Sequence, residues 1–69
     1  MASVVVWETS HEQWMADNKE GQTHFFDDKA AAIQSACSME RNKDKPKNVF
    51  VYKKDGSGIA DNIPVSKDD

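Results

Sequence analysis

The stretch from Phe25 to Cys37 leaves this chain the fewest folds. Two phenylalanines close a β-type segment, and Asp27-Asp28 leads at once into Lys29-Ala30-Ala31-Ala32-Ile33. Asp28 is the expected N-cap, because a short carboxylate can accept from the unpaired N–H groups of a first helical turn. Asp27 adds negative charge where the helix dipole is positive. The alanine run has the highest helix propensity available. Ala32, Ile33, Ala36 and Cys37 recur on one stripe, which predicts a helix that lies close on its partner. Met39 and Glu40 extend it, Arg41 sits at its negative end, and Asn42 is the expected left-handed terminator. Before this helix the chain reads as strand, and nearly everything after it does too.

Val4-Val5-Val6-Trp7 is β-branched and aromatic and predicts the first strand. Glu8-Thr9-Ser10-His11 breaks it. Gln13–Asp17 alternates as a second strand, with Trp14 and Ala16 on one face. Asn18-Lys19-Glu20-Gly21 reverses the chain, with a glycine where positive φ is needed. Thr23-His24-Phe25-Phe26 is the third strand, and the three short strands make an antiparallel meander. Beyond the helix, Pro46 forbids further helical turns and sets Lys45 towards extended geometry. Asn48–Lys53 is the clearest strand, with Val49 and Val51 on one face and Phe50 and Tyr52 on the other. Lys54–Gly58 turns the chain, and Ile59-Ala60 begins a short edge strand. The expected fold is α+β: a three-stranded antiparallel meander, one helix packed on one face, then a fourth strand and a short hairpin or tail (β-β-β-α-β-(β)). Residues 1–62 form the single small domain and residues 63–69 a flexible C-terminal tail.

At 69 residues only one compact unit fits, with a stability on the order of 3–10 kcal/mol. The formal charge of −3 gives no bulk attraction to nucleic acid or membrane. No apolar run approaches a membrane span, and the N-terminus lacks the basic segment and apolar core of a signal peptide. The single cysteine, Cys37, cannot form an internal disulfide, and its place on the apolar stripe predicts a buried, reduced thiol. A cytoplasmic protein is expected.

Catalysis finds no set of groups. His11 and His24 are the only imidazoles, and neither Cys-x-x-Cys nor His-x-x-x-His occurs, so no metal or other cofactor is expected. Asp27 and Asp28 read as capping groups rather than as an acid–base pair. Asp55-Gly56-Ser57-Gly58 precedes no helix and reads as a hairpin turn rather than a phosphate cradle. The expectation is a non-enzymatic module.

One helix cannot cover both sides of a sheet, so part of the aromatic set should be left for contact. Trp7, Trp14, Phe50 and Tyr52 are the candidate contact residues for a partner protein or a second copy, through the uncovered face or a strand edge. Six of the nine basic residues lie between positions 41 and 54. Lys43, Lys45, Lys47, Lys53 and Lys54, interleaved with Phe50 and Tyr52, form the alternative: stacking flanked by phosphate contacts on a nucleic acid. The plainer reading of those lysines is a solvated loop and guarded strand edges.

Val4-Val5-Val6, Trp14, Phe26-Asp27-Asp28-Lys29, Ala32-Ile33, Ala36 and Asp55-Gly56 together resemble the small bacterial family catalogued as domain of unknown function 2188. The resemblance spans most of the chain and rests on structural motifs. Two departures stand out: no glycine in the turn before Trp14, and Ser57-Gly58 after the Asp-Gly pair. The family implies the strand–helix–strand fold and carries no assigned activity. Phage-encoded inhibitors of host enzymes are similar in size and layout, which makes such an inhibitor a further alternative, though no residue motif links them to this chain.

Overall fold

A computed structural model describes residues 1–66. The elements follow in the order β1 (Ser3–Glu8), β2 (Gln13–Asp17), β3 (Thr23–Phe26), α1 (Lys29–Arg41), β4 (Asn48–Tyr52) and β5 (Ile59–Pro64). The chain is an α+β domain with one helix on a five-stranded mixed sheet of order β3-β2-β1-β4-β5. The meander is present, with β1–β2 and β2–β3 antiparallel. The helix then carries the chain back across the sheet, so that β4 lands beside β1 and parallel to it, Val4 opposite Phe50 and Val5 opposite Val51.

Two sequence expectations are corrected. The edge strand that begins at Ile59-Ala60 is longer than expected: it runs to Pro64, antiparallel to β4. Residue 62 therefore falls inside a strand, and Ile63 and Val65 pack against the core. The alternation of Ile59, Asp61 and Ile63 is interrupted by polar residues and a proline, which made this segment look like a tail. The expected tail residues 67–69 lie outside the described residues. Asn42 is also not left-handed. It lies at φ −80°, ψ −5°, and the helix ends instead because the Lys43 N–H turns in to the Glu40 carbonyl at 3.1 Å.

The start of the helix is as expected. Asp28 is extended, at φ −103° and ψ 126°, and its carboxylate accepts from the Ala30 N–H at 3.3 Å. Alternation then selects the core. Ser3, Val5, Trp14, Ala16, Val49 and Val51 all point towards α1 and are buried, with Ser3, Val5, Ala16 and Val49 fully so. The helix answers with Ala32, Ala36, Met39 and Glu40, while Ile33 and Cys37 flank the contact half-buried. Small side chains on the helix let it lie close over valines and a tryptophan, and each fully buried valine contributes about 1.5–3 kcal/mol.

The buried Glu40 is the feature the sequence conceals. Its Oε1 accepts from the Ser3 N–H at 2.9 Å, the Ser3 hydroxyl at 2.7 Å and the Lys43 ammonium at 2.8 Å. Its Oε2 accepts from the Lys47 N–H at 2.7 Å. Lys43 in turn donates to the Met1 carbonyl at 2.6 Å. One carboxylate thus fastens the start of β1, the end of α1 and the approach to β4. Burial alone would raise its pKa. The donors from Lys43, Ser3 and Lys47 more than reverse that and hold the group at about 2.

Two turns carry their own strain or relief. Asn18 organises the β2–β3 reversal by accepting from the N–H groups of Glu20 and Gln22, and Gly21 supplies φ +101°. The β1–β2 turn has no glycine, and Glu12 is forced to φ 52°. A side chain is disfavoured there by about 1 kcal/mol. Replacing Glu12 with glycine should therefore raise stability by about 0.5–1 kcal/mol, read as a thermal midpoint a few degrees higher; an unchanged or lower midpoint would count against this strain.

Candidate interaction surface

The same alternation that buries one face of the sheet defines the other. Val4 and Val6 of β1, Met15 of β2, Phe25 of β3, and Phe50 and Tyr52 of β4 point away from α1, and each is half-buried. Met15 stands opposite both Val6 and Phe25. A row of apolar side chains therefore runs across the strands rather than along them. Val4 and Phe50 make a second pair beside it. A hollow of about 400 Å³ opens on this face, lined by Met1, Ala2, Val4, Val6, Lys19, Phe50 and Tyr52. Polar groups rim the row: Glu8 and Gln13 at one end of the strands, Asp17 and Thr23 at the other. At the β3 side the His11 ring stacks on Phe25, centroids 4.0 Å apart.

The four aromatics singled out in the sequence divide between the two faces. Phe50 and Tyr52 lie on the open face. Trp7 and Trp14 are opposite one another on the helix side, where they meet edge to face at 5.5 Å. Trp14 is only 8% exposed and belongs to the core. Lys29 and Lys54 stand over the Trp14 and Trp7 rings at 5.0 and 4.1 Å, close enough for cation–π attraction. The physical reason is parity: Trp7 is an even number of residues from Val5, and Trp14 an even number from Ala16. Val4, Val6, Met15 and Phe25 were missed for the same reason. Once Trp14 and Ala16 are assigned to the helix side, Met15 must face away, so the signal was present.

The basic stretch does not form one surface. Lys43 is committed to Glu40 and Met1, with Glu20 a further 3.8 Å away, and its side chain is 8% exposed. Lys54 rests on Trp7. Lys45, Lys47 and Lys53 are exposed, and the first two share a hollow of about 360 Å³ with Glu20 and Asp44.

The sheet has two edges. Along an antiparallel strand, successive residues direct their backbone groups to alternate sides. The Val65 N–H reaches the Lys47 carbonyl at 3.1 Å, so residues 62 and 64 of β5 direct theirs outwards. The Asn62 N–H is taken by the Asp61 carboxylate at 2.9 Å, and Pro64 has none. Two outward donors of this edge are thereby withheld from an incoming strand. The other edge, β3, is four residues long.

Burial pushes the Cys37 thiol upwards in pKa, and the Arg41 charge offsets this only in part, so the thiolate is disfavoured. Among the described residues no three His, Cys, Asp or Glu side chains are disposed to hold a metal ion, and no helix is long and apolar enough to cross a membrane. Comparison with protein-family models, with curated proteins and with solved structures finds no match to this chain.

Proposed function

We propose that this chain is a non-enzymatic protein-interaction module that meets its partner through the open face of the sheet. The observation that carries the reading is the apolar row Phe25, Met15 and Val6, with Val4, Phe50 and Tyr52 beside it, on the side that α1 does not reach. A face of this kind, apolar in the middle and polar at the rim, has the make-up of a protein contact. The withheld donors of β5 favour the face over that edge. Trp7 and Trp14 support the core rather than the contact. The relation to the domain of unknown function 2188 family remains a proposal on the residues that carry it, and a host enzyme bound by a phage-type inhibitor is one partner class the face would suit.

The nucleic-acid reading is less well supported, because Lys43 is buried in an ion pair and Lys45 and Lys47 sit beside two carboxylates. It requires binding to single-stranded DNA or RNA at low salt that weakens steeply as salt rises.

The face is tested by placing a charge in it. Phe50→Lys lies on the open side, so the fold should survive, while recovery of any bound protein, or self-association, should fall at least tenfold. Undiminished association by a folded Phe50→Lys chain would contradict the reading.

A further inference from the structure

We infer that the β3 edge takes a short, basic-flanked extended segment of another protein as a further strand of the sheet. The site is the backbone of Thr23 and Phe25, separate from the open face.

Parity identifies these two residues. The Asn18 N–H reaches the Gln22 carbonyl at 3.1 Å, in register with Asp17 opposite Thr23. Gln22, and with it His24 and Phe26, therefore direct their backbone groups inwards to β2. Thr23 and Phe25 direct theirs outwards, where β3 is the last strand of the sheet. Each offers one donor and one acceptor, and no turn or loop among the described residues occupies them. His11 is engaged with the Phe25 ring, whereas the groups offered here are the backbone's. Two such pairs, about 6.8 Å apart along the strand, match the repeat of an extended backbone, as in strand addition to a sheet edge.

The edge is also open and held in shape. On β5, Pro64 and the Asp61 carboxylate withhold outward donors. β3 contains neither proline nor lysine, and its pairing with β2 is unshifted, so only its shortness guards it. Asn18 accepts from the Glu20 and Gln22 N–H groups at 2.8 and 3.0 Å where the strand begins. Gln13 donates to Asp27 at 2.9 Å where it ends. A strand fixed at both ends loses little freedom on pairing.

Charge selects the partner. Around β3, Asp17, Glu20, Asp27 and Asp28 stand against Lys19 and Lys29. A second copy would bring like charge to like, whereas a basic flank is attracted. The residue opposite Phe25 falls on the open side and continues the cross-strand row of Val6, Met15 and Phe25. A β-branched side chain suits that position.

The probe is the hexapeptide acetyl-Lys-Thr-Val-Thr-Val-Lys-amide, titrated into the full chain while amide chemical shifts are followed. A dissociation constant of about 1 mM is expected, with the largest shifts at the Thr23 and Phe25 N–H groups. Thr23→Pro removes one outward donor and leaves the β2 ladder intact, so the folded variant should bind at least tenfold more weakly. Thr23→Val keeps that donor and should bind like wild type. Should Thr23→Pro fail to fold, the peptide N-methylated at both valines gives the same reading, by binding the wild-type chain at least tenfold more weakly. Glutamates in place of both peptide lysines should weaken binding roughly threefold at low salt. No shift at about 5 mM peptide, equal binding by folded Thr23→Pro or by the N-methylated peptide, or shifts largest at Asn62 would overturn the inference. So would loss of the peptide with Phe50→Lys, which would put the strand on the open face instead.

Discussion

Replacing Glu40 with glutamine is expected to lower the unfolding free energy by on the order of 2–4 kcal/mol, a large share of what a chain of this length holds. Each partner of the two carboxylate oxygens is a donor: the Ser3 N–H and hydroxyl, the Lys43 ammonium and the Lys47 N–H. A glutamine can present its oxygen to one set of them, and its NH₂ must then face the other. The Lys43 ammonium, 8% exposed, also loses its nearer counter-charge and keeps only the longer contact to Glu20 among its two carboxylates, at 3.8 Å. The pH dependence has a definite sign. The carboxyl is held at about 2 against an ordinary 4.5, so its contribution is fully present above pH 4.5. It is lost progressively as pH falls from there towards 2. Chemical denaturation at several pH values should show the gap between wild type and Glu40→Gln wide at pH 6 and closing below pH 4. A gap that stays constant down to pH 2 would mean that the carboxylate is not held by these donors.

Trp14→Ala is the second large effect. The side chain is 8% exposed on a central strand, against Trp7 at 5.5 Å and under Lys29 at 5.0 Å. Truncation removes the largest apolar group of the core and leaves a cavity between sheet and helix, costing about 3–5 kcal/mol. Set against a total on the order of 3–10 kcal/mol, this is a large share of the stability, and the unfolding midpoint should fall steeply. Trp7→Ala should cost less, because Trp7 is only half-buried and lies at the end of its strand. Urea unfolding followed by far-ultraviolet circular dichroism gives both values. Equal and small losses would place the tryptophans outside the core.

What could be read from the sequence was local. Asp28, the alanine run and the valine-rich strands state their structure within a few residues, so the helix and the meander are legible. Glu40 is not. Its partners include Ser3, 37 positions earlier, and helical periodicity says only that a glutamate lies near the stripe. The parallel pairing of β1 with β4 is equally silent, since alternation gives each strand its faces but not its neighbour. Ile59–Pro64 was foreshortened because Asp61, Asn62 and Pro64 are poor strand formers. Their place at an edge makes them suitable, as they withhold or occupy outward N–H groups. For the contact surface, the existence of an uncovered side followed from having one helix. Which aromatics occupy it depended on parity, and that assigned Phe50 and Tyr52 to it while sending Trp7 and Trp14 to the other side.

The helix covers one side of the sheet and leaves the other to solvent or to a partner. Nuclear magnetic resonance with a soluble paramagnetic probe, at a concentration low enough for the monomer, measures this methyl by methyl. Val4, Val6 and Met15 should be relaxed strongly, while Val5, Ala16, Val49 and Val51 are protected. Protection of Val6 and Met15 equal to that of Val5 and Ala16 in the monomer would contradict it.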